Sequence, residues 1–122
     1  MAELTLTLER HGLDFVLHCS GELDLSTAPL LTARLNEVIE AGEGSLTVDL
    51  RELTFLDSSG MYALLNAHRR LTRQARRLEI VCASGPVMRA FELARLVETL
   101  GVSARGRSRP KRPAPQTETP ET

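Results

Sequence analysis

The sequence predicts an α/β domain built on a mixed β-sheet, and three observations carry that prediction. Two apolar runs near the N-terminus are separated by a short turn, as in an antiparallel hairpin. From Leu46 onward, strand-like and helix-like stretches alternate, the order that produces parallel pairing through right-handed crossovers. Apolar residues make up 42% of 122 residues, enough for one core and too few for two.

Leu4, Leu6 and Leu8 alternate with Thr5 and Thr7, the period of a half-buried strand, and Arg10-His11-Gly12-Leu13 supplies the turn. Phe15-Val16-Leu17-His18-Cys19 is apolar on both faces and reads as a more central strand. After Gly21-Glu22-Leu23-Asp24 a helix is expected, capped by Ser26 or Thr27, with Pro29 in its first turn. Ala28, Leu31, Leu35 and Val38 form its apolar stripe, and Ala41-Gly42-Glu43-Gly44 ends it. Leu46, Val48 and Leu50 alternate with Thr47 and Asp49 in a further strand that runs toward Arg51-Glu52-Leu53-Thr54, with a short bend after it.

That strand leads to Phe55-Leu56-Asp57-Ser58-Ser59-Gly60-Met61, where an apolar run meets an acidic, hydroxyl-rich turn at the start of a second helix. A helix start has unpaired N–H groups and a positive dipole end, which favour an anion. Taken alone, Asp57 or Ser58 there reads as a plain helix cap. Met61, Leu64, Leu65, His68 and Leu71 are the expected buried stripe, with Asn66, Arg69, Arg70 and Arg73 facing water. Leu78-Glu79-Ile80-Val81-Cys82 is another strand, and Ser84-Gly85-Pro86 opens a third helix that Leu96-Val97-Glu98-Thr99-Leu100 extends. Val102 begins a last short strand. From Ala104 the apolar residues vanish, so residues 104–122 are expected to be a disordered, basic and proline-rich tail.

Composition narrows the function. Aromatic residues are 3% of the chain and Trp is absent, which disfavours stacking on bases or sugars. Up to residue 57 there are three basic side chains (Arg10, Arg34, Arg51) against eleven acidic ones, so a basic partner suits this half better than nucleic acid does. Cys19 and Cys82 lie in strand-like runs without ligand spacing and read as buried thiols of a reducing compartment rather than a disulfide. No apolar run is long enough to cross a bilayer and no leader pattern is visible, so a cytoplasmic protein without membrane contact is expected. His11, His18 and His68 form no grouping with Ser and Asp, and Gly42-Glu43-Gly44 lacks the Lys of a phosphate loop. No catalytic residue, cofactor or metal is therefore expected.

Read together, Gly21-Glu22-Leu23-Asp24 and Asp57-Ser58-Ser59-Gly60 resemble the paired motifs of the STAS domain, specifically of bacterial anti-sigma factor antagonists, over about residues 4–103. The resemblance implies a mixed four- to five-stranded sheet with helices mainly on one face. It also implies a transcription regulator of the stress-response or sporulation kind that works by partner switching. In that family an anti-sigma factor with serine kinase activity phosphorylates the serine directly after the second motif's Asp, here Ser58, and a serine phosphatase reverses it. Unphosphorylated protein binds the anti-sigma factor and frees a sigma factor. The resemblance further implies a switch surface of Asp24, Asp57, Ser58, Ser59 and Gly60, to which Tyr62 is added for its bulk beside the acceptor, on a protein expected to be monomeric alone. Gly60 is expected to let the backbone and a partner approach closely, and Ser59 to satisfy helix N–H groups. Met61-Tyr62 departs from the aliphatic-glycine pair commoner in the family, and Tyr62 has two readings, a partner contact or a cover for the first turn. Ala94-Arg95-Leu96 lacks a glycine often found there. The competing function is a STAS scaffold, or a subunit of a stress-signalling or lipid-transport complex, that is never phosphorylated.

Overall fold

The computed structural model describes residues 3–105. Five strands and four helices follow in the order β1 (Leu4–His11), β2 (Asp14–Leu23), α1 (Ala28–Ala41), β3 (Leu46–Leu56), α2 (Ser58–Arg73), β4 (Leu78–Cys82), α3 (Pro86–Leu93), α4 (Val97–Leu100), β5 (Val102–Ala104). The strands lie side by side in chain order in a single sheet. β1 and β2 are the antiparallel hairpin, closed by the pair His11 and Asp14. β2, β3, β4 and β5 are mutually parallel, so their C-terminal ends all emerge at one end of the sheet.

Strand alternation decides what each face does. Phe15, Leu17 and Cys19 of β2, Leu46, Val48 and Leu50 of β3, and Ile80 and Cys82 of β4 are buried. They pack with Leu31, Leu35 and Val38 of α1 and Leu64 and Leu71 of α2, and Val87, Phe91 and Leu100 from the two short helices join the same cluster. Both cysteines are free and buried. Burial pushes the Cys19 thiol up to about 12 and the Cys82 thiol up to about 11, because a thiolate loses its hydration there.

Several details correct the sequence reading. β3 runs on to Leu56 in place of the expected bend after Thr54, and the irregularity falls instead in its pairing with β2, at the register shifts between His18 and Ser20 and between Gly21 and Glu22. The fully buried line of α2 is Gly60, Leu64, Ala67 and Leu71. His68, Met61 and Leu65 flank it half-buried, because the stripe is phased on two small residues that a search for bulky apolar side chains passes over. Arg76, just past α2 and its outward-facing arginines, is buried. Its guanidinium donates to the carbonyls of Ile39, Glu43 and Gly44 and to the Gln74 side chain, tying the end of α1 to the end of α2. Arg70 is half-buried and donates to Asn36 Oδ1 at 2.9 Å across the α1–α2 contact.

The third helix stops at Leu93 rather than running on. Arg95 takes φ 59°, a left-handed conformation that glycine adopts without cost and that an L side chain adopts at about 1 kcal/mol. α4 is consequently a separate turn. β5 runs through Ala104, and the Arg105 N–H donates to the Cys82 carbonyl at 2.8 Å. The expected tail beyond 105 lies outside the described residues.

The opposite face of the sheet is polar. The register places Thr7, His18, Asp49 and Val81 in one line across four strands. Asp49 Oδ2 is 3.2 Å from His18 Nδ1 and 2.9 Å from Arg51 Nη2, while Oδ1 accepts from Arg51 Nε at 3.0 Å. Burial alone would raise the Asp49 carboxyl, but the hydrogen bonds from His18 and Arg51 outweigh it and hold the group well below the usual carboxylate range. A depressed folded-state pKa means stabilisation that is complete above the unfolded value, near 4, and lost as pH falls through the lower folded value. The denaturation midpoint should therefore drop as acid is added below about pH 4. Asp49→Asn should be less stable at neutral pH, on the order of 2 kcal/mol, and should show a shallower acid limb. Parallel urea titrations of both proteins at stepped pH check this, and matching pH profiles would remove Asp49 as the source.

Candidate functional site

The site is made where β2 and β3 end together. Their final registered pair is Leu23 and Leu56, and the Asp57 N–H donates to the Leu23 carbonyl at 3.1 Å. That bond brings the loop carrying Asp24 against the turn carrying Ser58, so the two motifs separated in sequence share one sheet end.

Each loop has its own internal acid. Asp57 is extended, with φ −113° and ψ −174°, the geometry of a residue just outside a helix. Its Oδ1 accepts from the Ser59 N–H at 2.9 Å and the Gly60 N–H at 3.4 Å, and its carbonyl accepts from the Met61 N–H at 3.2 Å. The three amides that follow Ser58 are thus all engaged by Asp57. Asp57, not Ser59, satisfies the helix start. In the other loop Asp24 Oδ1 accepts from the Ser26 N–H, the Ser26 hydroxyl and the Thr27 N–H at 2.8 to 3.1 Å. The Ser26 hydroxyl is the main cause that lowers the Asp24 carboxyl, with the Thr27 and Ser26 amides adding to it. Ser26 and Thr27 do not cap α1 with their own side chains. Thr27 Oγ1 turns back to donate to the Glu22 carbonyl and accept from the Asp24 N–H, each at 2.9 Å, and the Asp24 carbonyl accepts from the Ala28 N–H.

The remaining predicted residues divide by direction. Ser58, the first residue of α2, is exposed, and Ser59 beside it is half-buried. Tyr62 stands 66% exposed, one turn on. Gly60 points the other way. A Cβ built there would lie 2.5 Å from Leu23 Cγ and 2.8 Å from Leu56 Cδ1, so the absent side chain lets α2 settle onto β2 and β3. The close approach expected at Gly60 is made from the sheet beneath it, in the packing that holds Ser58.

Between the first turns of α1 and α2 lies a groove of about 780 Å³, with Leu25, Ala28, Pro29, Ser58, Tyr62 and Ala63 among its walls and no charged residue in its lining. Leu25 is 77% exposed at its lip. Exposed apolar groups gathered around a rim of hydroxyls mark a surface suited to a protein partner. Leu25 and the groove escaped sequence reading, because Leu25 looks like any apolar residue before a helix until the two loops are joined. Among the described residues no three His, Cys, Asp or Glu side chains are grouped to hold a metal ion, and no helix is long and apolar enough to cross a membrane.

This pairing of two loops at the end of a mixed sheet coincides with a family model, that of the STAS domain, which matches residues 5–106. The chain belongs to the STAS domain family. As a STAS domain it is similar to the anti-sigma-B factor antagonist of Bacillus subtilis (strain 168), with 22% identity over 102 residues, covering 84% of this chain and 93% of the relative. The fold matches the crystal structure of an anti-sigma factor antagonist from Mycobacterium paratuberculosis with TM-score 0.76 and 27% identity, over 82% of this chain and 85% of that one. It also matches the Bacillus cell fate determinant SpoIIAA in its phosphorylated form, with TM-score 0.66 and 25% identity over 83% of this STAS chain and 91% of that protein.

Proposed function

We propose that this STAS domain is an anti-sigma factor antagonist whose partner affinity is set by phosphorylation of Ser58. The observation that carries the proposal is the position of the Ser58 hydroxyl: exposed at the first residue of a rigidly anchored helix, on the wall of an uncharged groove. A kinase needs an acceptor that its own metal-bound nucleotide can meet in line, and a hydroxyl fixed on a packed helix end loses little freedom on meeting it. The domain supplies the acceptor, and the anti-sigma factor supplies nucleotide, metal and base. That relatives are named antagonists of anti-sigma factors, and that one is known in a phosphorylated form, supports the reading.

In the unphosphorylated state Leu25, Tyr62 and the groove between α1 and α2 form the docking surface for the anti-sigma factor, which then releases its sigma factor. Phosphate on Ser58 brings about −1.5 to −2 charges into this uncharged lining. A serine phosphatase restores the binding form. Co-incubation with the cognate anti-sigma factor and ATP is expected to add a single phosphate, which peptide mass spectrometry locates on Ser58. Phosphate on Ser59 would overturn the acceptor assignment, and a chain that binds but is never modified would be a fixed scaffold.

A further inference from the structure

The two edges of the sheet are unlike. β5 ends it with three residues and β1 with eight, and among the described residues no strand lies beyond β1. An antiparallel strand turns alternate residues toward its neighbour. The Glu3 carbonyl accepts from the Glu22 N–H, and the Phe15 N–H donates to Ser45 on the β3 side, which leaves Asp14 and Val16 to face their β1 partners His11 and Glu9. The odd-numbered residues of β1 therefore bond to β2. Leu4, Leu6, Leu8 and Arg10 turn their N–H and C=O groups outward, away from the sheet.

Edge strands that stay single carry a charge, a proline or a bulge. From Leu4 to Leu8, β1 has none of these: its register with β2 is unbroken and its sequence is Leu-Thr-Leu-Thr-Leu. Arg10 could guard the edge, but its guanidinium lies over the Phe15 ring at 5.0 Å and its Nε donates to the Gly12 carbonyl. Leu4, Leu6 and Leu8 pack against the core from the helix side and are only half-buried. On α1, Pro29 and Thr32 line the groove toward α2 and Asn36 meets Arg70, so the helical period puts Leu30 and Arg34 on the opposite flank, toward the β1 edge. Leu30 is 53% exposed there.

We infer that β1 pairs antiparallel with β1 of a second copy, about a two-fold axis at Thr7, joining two five-stranded sheets into one. Outward groups meet only where even-numbered residues face each other, so the axis passes through a residue rather than between two. With Thr7 facing its own copy, Leu6 meets Leu8 and Leu4 meets Arg10, each pair occurring twice by symmetry. Glu3 then faces His11 of the second copy. An axis at Leu6 would leave Arg10 beyond the end of the facing strand and set Glu3 against Glu9, two like charges. An axis at Leu8 would leave Leu4 facing the hairpin turn. In the Thr7 register the leucines of both copies meet on the helix side and complete each other's burial. The sequence reading expected a monomer. Pairing at β1 uses neither loop of the site, so the groove between α1 and α2 and both Ser58 hydroxyls stay open, and the pairing does not depend on phosphorylation.

The test uses the full, unmodified chain. Sedimentation equilibrium over about 1 μM to 1 mM should show a monomer–dimer equilibrium. In hydrogen exchange followed by NMR, the amides of Leu4, Leu6, Leu8 and Arg10 should gain at least about tenfold protection as the dimer fills. Thr7 is exposed, so Thr7→Lys and Thr7→Glu leave the core alone while each sets like charges opposite one another at the axis. Each variant by itself should dissociate at least about threefold more readily than the wild type, and an equal mixture of the two should recover the association. The mass of one chain throughout the series would overturn the pairing. So would a dimer in which those four amides exchange freely, which reports an interface elsewhere, and protection that ignores concentration, which reports cover by the chain's own residues. A mixture no tighter than either variant would overturn the axis at Thr7.

Discussion

Ser58→Asp should bind the anti-sigma factor at least tenfold more weakly than the wild type, and Ser58→Ala should bind it with unchanged affinity in the presence of ATP. Tenfold corresponds to about 1.4 kcal/mol, a modest demand on a charge that must be desolvated in an uncharged groove. The geometry raises the effect beyond that minimum. A helix start ordinarily softens an anion placed on its first residue, but here the Asp57 carboxylate already occupies the Ser59 and Gly60 amides. The added carboxylate of Ser58→Asp meets a helix end that has been neutralised. Both variants should unfold at the same denaturant concentration within experimental error, because Ser58 is exposed and its side chain supports nothing in the core. Titration calorimetry against the purified anti-sigma factor, with and without ATP, reads the difference. Equal affinities for the two variants would sink the switch.

The second large effect is on stability. Gly60→Ala should lower it by about 1 to 3 kcal/mol, the usual cost of adding a methyl group to a filled core. Substituting alanine in a helix ordinarily stabilises by up to about 1 kcal/mol, so the sign itself is informative. The new Cβ would meet Leu23 Cγ at 2.5 Å, and Leu23 is fully buried. Urea unfolding of Gly60→Ala, Leu23→Ala and the double variant completes the comparison. If the steric account holds, the double variant is more stable than the two single losses predict, since shortening Leu23 makes room for the methyl. A strictly additive double variant would show that Gly60 is there for some other reason.

Much of this architecture is legible in the chain because strand and helix periods are strong signals. The Leu4–Leu8 alternation and the Ala28–Val38 stripe each bury the residues they were expected to bury or half-bury. The paired acidic motifs place Asp24, Asp57, Ser58 and Tyr62 at one end of the sheet. What escaped depends on partners far away in sequence. Arg76 looks like one more surface arginine, and only the closing of α1 onto the turn before β3 supplies the carbonyls that make its burial favourable. Gly60 is ambiguous as a letter, because a missing side chain can favour an outside visitor or an inside neighbour, and the sequence does not say which side of the helix is down. The break at Arg95 lacks the glycine that usually announces a left-handed residue.

The burial of Cys19 and Cys82 has a practical consequence. With thiols pushed up to about 12 and about 11 and almost no accessible surface, neither offers a nucleophile at neutral pH while the domain is folded. A maleimide dye directed to a cysteine introduced on the exposed face of α2 should label that position alone, without removal of the native pair. Modification of Cys19 and Cys82 themselves then becomes a stopwatch for opening of the core, readable in a mixture where the partner protein is present and spectroscopic unfolding signals overlap.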